Sequence, residues 1–75
     1  MESLTLQQIN ELIVNAGGEN FVATSATFSQ ITASNEAMYK ITYNVNDEVY
    51  KNNIFVIQKE DGSFQASINT LLYSV

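Results

Sequence analysis

Met38-Tyr39-Lys40-Ile41-Thr42-Tyr43-Asn44-Val45 is the stretch that decides the fold. Successive side chains on a strand point to opposite faces. Tyr39, Ile41, Tyr43 and Val45 then face one way, and Met38, Lys40, Thr42 and Asn44 the other. One face suits a core and the other suits water, as in an antiparallel sheet covered on one side.

Asn46-Asp47 follows as a tight hairpin turn, and a third strand runs from about Val49 to Gln58. Within it, Ile54-Phe55-Val56-Ile57 breaks the alternation and offers hydrocarbon on both faces. Upstream, Ala33-Ser34-Asn35-Glu36 reads as a turn, preceded by a long strand from about Asn20 to Thr32. Downstream, Asp61-Gly62 is the strongest turn signal. A fourth strand covers roughly Ser63 to Thr70, and the continuous Leu71-Leu72-Tyr73 predicts a bulge or a turned tail.

Before the strands comes one amphipathic helix. Thr5 is placed as N-cap with Gln8 closing a capping box, and Leu4 and Ile9 are placed for a hydrophobic staple. Leu6, Ile9, Leu12, Ile13 and Ala16 recur at helical spacing, and Gly17-Gly18 ends the helix. The predicted architecture is α+β: one N-terminal helix on a four-stranded antiparallel meander, in a single domain spanning residues 1–75.

This order of elements resembles the cystatin fold. The likeness is closest at Gln30-Ile31-Thr32-Ala33-Ser34 and the Tyr-rich strand after it, where cystatins carry a Gln-x-Val-x-Gly hairpin. Gln30 matches that motif, while Thr32 stands for Val and Ser34 for Gly. The chain has no Pro or Trp for the family's second hairpin. The resemblance therefore implies an architecture and does not extend to papain-type protease inhibition.

Composition narrows the chemistry. A chain of 75 residues buries only about 60% of its unfolded surface, so good packing or a partner is needed. Without Cys or His there is no disulfide, thiolate nucleophile, imidazole base or ordinary zinc site. The basic residues are Lys40, Lys51 and Lys59, and the net charge is −5, which argues against a nucleic-acid partner. No run of 18 apolar residues and no leader is present, so no membrane association is expected and the chain reads as cytoplasmic. No cofactor, metal site or catalytic residue is expected.

Each remaining feature has a plain structural explanation beside the functional one. The acidic groups Glu19, Glu36, Asp47, Glu48, Glu60 and Asp61 read as solvated turns, because their spacing is not that of a calcium loop. Gly17-Gly18 lies at the wrong end of a helix to hold phosphate. Tyr39 and Tyr43 read as core residues with the hydroxyl at the rim. Tyr50 and Tyr73 read as candidate recognition residues.

Ile54, Phe55, Val56 and Ile57 could be covered on both sides by their own chain. Their flanking Lys51-Asn52-Asn53 and Gln58-Lys59-Glu60-Asp61 favour a sticky surface guarded against aggregation. The expected interface is therefore Ile54, Phe55, Val56, Ile57, Tyr50 and Tyr73, in a non-catalytic interaction module. Its partner is a second copy or a host protein, and a homo-oligomer is expected. Small size and high Ser, Thr and Asn content suit a phage or mobile-element accessory protein, acting in the host cytoplasm or in a virion. Alternatives are an inhibitor of a larger host protein and a small-molecule binder.

Overall fold

The computed structural model describes residues 4–72. Helix α1 (Leu6–Asn15) leads into strands β1 (Val22–Ile31), β2 (Ala37–Val45), β3 (Glu48–Gln58) and β4 (Phe64–Ser67), and a single helical turn α2 (Asn69–Leu72) follows. The strands form one antiparallel sheet in the order β1-β2-β3-β4. The α+β meander expected from the sequence is thus the architecture of the chain.

Local chemistry explains the boundaries. The Thr5 hydroxyl accepts from the Gln8 N–H at 3.1 Å, and the Gln8 side chain accepts from the Thr5 N–H at 2.8 Å. This capping box satisfies two donors that a helix start leaves open. At the other end the Gly18 N–H donates to the Ile13 carbonyl and the Gly17 N–H to the Val14 carbonyl. Gly17 takes φ 98°, so the helix closes in a Schellman motif. Asn46 and Asp47 both have positive φ, as a two-residue type I′ hairpin requires, and Val45 pairs with Glu48 across it.

β1 carries two register shifts, between Ala23 and Ser25 and between Phe28 and Gln30. Each inserts one extra residue and increases the local twist. The fourth strand is shorter than its apolar pattern suggests. It ends at Ser67, and Leu71 enters the core from α2. The Thr70 hydroxyl donates to the Asn53 carbonyl, fixing α2 against β3.

The core lies between α1 and one face of the sheet. Ile9 and Ile13 from α1 join Tyr39, Ile41, Tyr43, Val45, Ile54, Val56, Ala66, Ile68 and Leu71, all buried. Phe21 meets Tyr43 edge-on with ring centroids 5.8 Å apart, and Phe28 meets Tyr39 at 5.6 Å. The Tyr39 hydroxyl, buried under the helix start, accepts from the Leu4 N–H at 3.0 Å. Leu6, assigned from its spacing to the apolar face, is 39% exposed, and Ala16 is exposed as well. The helix meets the sheet through the narrower stripe of Ile9 and Ile13, with Leu12 half-buried beside them against the core.

Candidate interaction surface

The register of β3 separates the four consecutive apolar residues into two pairs. Ile54 pairs with Tyr39 and Val56 with Ala37 and Ala66, all on the face that α1 covers. Both Ile54 and Val56 are 0% exposed, so they are core residues sealed by their own chain. Phe55 pairs with Met38 and Ser67, and Ile57 with Gln65, on the opposite face. Phe55 is half-buried and Ile57 is 39% exposed. The surface expected from the sequence therefore reduces, within this run, to Phe55 and Ile57.

Tyr50 sits on the helix side of the sheet, at the end near the Asn46-Asp47 turn. Its ring stacks on Tyr43 at 5.7 Å with an interplanar angle of 27°, and it is half-buried. Its hydroxyl donates to Glu48 Oε2 at 2.5 Å. That bond, together with partial desolvation and the nearby carboxylate charge, raises the phenol above its ordinary pKa of 10.0. Tyr43 in turn accepts from Asn52 Nδ2 at 3.1 Å. Tyr73 lies outside the described residues.

Met38 and Phe55 form the apolar centre of one end of the open face, and Ile57 extends it. Beside them stand Lys40, opposite Asn53, and Lys51, opposite Thr42. Thr27 and Ser25 of β1 complete this middle region. Two of the chain's three basic residues thus occupy the open face of a chain whose net charge is −5. The strand residues on that face include no carboxylate. The acidic side chains of the described residues lie on α1, in the turns and at the Glu48 position instead.

Sequence reasoning missed Met38, Lys40 and Lys51 because it looked for apolar runs. The even spacing of Met38, Lys40 and Thr42 already placed those three together, and Lys51 joins them through its pairing with Thr42. It also gave no orientation to β1, where Phe28 and Ile31 are 38% and 47% exposed. The bulges explain that gap. Ala23, Ala26, Phe28 and Ile31 share the helix side, at a spacing that no strict alternation reveals.

The turns at the far end are held by their own side chains. Asp61 Oδ1 accepts from the Ser63 N–H at 2.9 Å and from its hydroxyl at 2.6 Å. These bonds hold the Asp61 carboxyl below its ordinary value. This turn and the Thr32–Glu36 turn flank an open cleft of about 710 Å³ lined by Ile31, Asn35, Ile57, Gln58 and Lys59 among others. Among the described residues, no group of three or more acidic side chains could hold a metal ion. None of the described helices is long and apolar enough to cross a membrane.

Comparison with family models, with curated proteins and with solved structures returns no significant match.

Proposed function

We propose that this chain is a small non-catalytic interaction module that presents the uncovered side of its sheet, or its free edge, to a protein partner. The observation that carries the reading is the one-sided layering. α1 and Leu71 both pack on one face, while Met38, Phe55, Ile57, Lys40 and Lys51 occupy the other. A half-apolar face with two cations suits a partner that supplies hydrocarbon and carboxylates together. The Glu48–Tyr50 pair supports a structural role for these groups. Glu48 holds the Tyr50 proton more tightly, which is opposite to what a phenolate base or nucleophile needs.

Size and composition suit an accessory protein of a phage or mobile element, working in the cytoplasm or in a virion. A second reading is an inhibitor that blocks a larger protein with its hairpin tips. The cleft between the Thr32–Glu36 and Lys59–Gly62 turns favours it, since both tips project from the same end of the sheet.

Affinity capture from the source cell, paired with sedimentation of the pure chain, tests the module. The baits are the wild type and a triple variant, Ile31→Lys, Phe55→Lys and Ile57→Lys. The expected result is a partner or an oligomer that the wild type holds and the folded variant loses. A wild type that stays monomeric and retains nothing beyond what the variant retains overturns the reading.

A further inference from the structure

β1 is a long strand with one side unpaired. It lies at the end of the order β1-β2-β3-β4 and has ten residues, whereas β4 at the other end has four and runs directly into α2. Natural edge strands of such length usually carry Lys, Pro, an inward-pointing charge or a bulge to prevent pairing, and of these β1 has only its two bulges. β1 reads Val-Ala-Thr-Ser-Ala-Thr-Phe-Ser-Gln-Ile, without a charge or a proline, in a chain of net charge −5. Two copies can approach along β1 without bringing like charges together. Approach through the centre of the open face would instead oppose Lys40 and Lys51 to their own copies.

Asn10 reveals which backbone groups of β1 face outward. Its side-chain amide donates to the Ala23 carbonyl and its side-chain carbonyl accepts from the Ala23 N–H. Both backbone groups of Ala23 therefore point away from β2. An antiparallel ladder alternates inward and outward residues. Each bulge, Thr24-Ser25 opposite Thr42 and Ser29-Gln30 opposite Met38, counts as one step. The outward residues after Ala23 are then Ala26, Phe28 and Ile31.

We propose that β1 pairs antiparallel with β1 of a second copy, about a two-fold axis at Phe28. This deepens the interaction-module reading, on which it rests, by naming the partner and the register. Phe28 faces its own copy across the axis, and Ala26 faces the partner's Ile31. The Ser29-Gln30 bulge falls opposite the partner's Thr27. The outward N–H and carbonyl groups of Ala26, Phe28 and Ile31 find counterparts in this register. The small Ala26 meets the large Ile31, and the exposed flanks of Phe28 and Ile31 are covered. Pairing stops where Asn10 already occupies Ala23. The axis stands perpendicular to the sheet, so both helices lie on one side. Leu6 and Val14, exposed on either side of Asn10 along α1, then line the gap between them.

Sedimentation velocity from roughly 10 to 500 micromolar, with amide hydrogen exchange at both ends of that range, tests the pairing. The expected result is a dimer whose Ala26, Phe28 and Ile31 amides become protected as it forms. The Thr27 amide, bonded to β2 in either state, stays protected throughout. Ala26→Pro removes an outward N–H from each copy while leaving the β2 ladder intact, and weakens the dimer roughly tenfold or more. Ile31→Lys, which need not disturb the backbone, has the same effect and keeps the test standing if the proline variant does not fold. A dimer broken by Phe55→Lys but not by Ile31→Lys overturns the edge pairing and leaves the interaction module in place. A chain that stays monomeric, with the three outward amides exchanging freely, overturns the self-pairing. The module then stands or falls on its own capture experiment.

Discussion

Asn10 and Ala23 exchange two hydrogen bonds, from Asn10 Nδ2 to the Ala23 carbonyl at 3.0 Å and from the Ala23 N–H to Asn10 Oδ1 at 2.8 Å. The side-chain amide thereby stands in for a neighbouring strand and ties α1 to the edge of the sheet. Asn10 Nδ2 also reaches the Leu6 carbonyl at 3.2 Å. Asn10→Ala leaves a part-buried N–H and a carbonyl without their partner, a loss of about 1–3 kcal/mol. Urea denaturation checks this through the midpoint at constant slope. An unchanged midpoint would show that water replaces the amide without cost.

The two glycines after α1 have different reasons to be glycine. At Gly17 there is open space for a Cβ, but φ is 98°, so Gly17→Ala strains the backbone by about 1 kcal/mol. At Gly18 the problem is contact. A Cβ there would lie 2.7 Å from Ile13 Cγ2, 2.8 Å from Ile68 Cδ1 and 3.0 Å from the Ile13 carbonyl oxygen. Overpacking of this kind costs about 1–3 kcal/mol. Gly18→Ala is therefore expected to be the more destabilising, and Ile68→Val in the same chain should recover part of the loss. Thermal unfolding of the two single variants and the double variant reads the order.

Two ionisable groups make the fold respond to pH in opposite directions. Asp61 has its folded pKa depressed by the Ser63 bonds. Its contribution is present above the unfolded value of 3.8 and is lost as pH falls through the folded one. Tyr50 has its folded pKa raised by Glu48, so its contribution is present below the unfolded value of 10.0 and is lost as pH climbs through the folded one. Asp61 is exposed and Tyr50 is half-buried at the sheet surface, so both effects are small. The tyrosinate absorbance that Tyr50 contributes, read as the difference between the wild type and Tyr50→Phe, should rise above 10.0 and move toward 10.0 in Glu48→Gln. A difference step already centred at 10.0 in the wild type overturns the Glu48 effect.

Most of the fold was legible because its local signals agree with one another. The Thr5–Gln8 box, the Asn46-Asp47 turn and the alternating Tyr39-to-Val45 stripe each specify one local geometry and do not conflict. β1 was legible as a strand but not as a face. Its bulges move Ala26 and Phe28 off the parity set by Ala23, and a bulge has no residue signature here. The tail was legible only as a break in pattern. Ile68 and Leu71 are three apart and both buried, which is helical spacing, and four residues are too few for periodicity to show it. The interface residues were half legible. An apolar run tells that both faces are hydrocarbon, and only the register with Tyr39 and Ala66 tells which pair is sealed.

Alternate residues of β3 should therefore differ in what their substitution does. Ile54 and Val56 are 0% exposed, between α1 and the sheet, so truncation leaves a cavity. Ile54→Ala is expected to cost about 2–5 kcal/mol. Ile57 faces away from the core and is 39% exposed, so Ile57→Ser should cost only about 1 kcal/mol. Phe55, half-buried against Met38, falls between them. The unfolding midpoints of Ile54→Ala, Phe55→Ser, Val56→Ala and Ile57→Ser should then alternate along the strand. The binding readout should alternate in the opposite sense. Ile57→Ser and Phe55→Ser leave a folded chain in which any contact made by the open face is weakened. Ile54→Ala acts on binding only through the fraction of chain that is folded. If Ile57→Ser unfolds the chain as readily as Ile54→Ala, the far face is sealed too, and the one-sided layering that carries the proposed function is wrong.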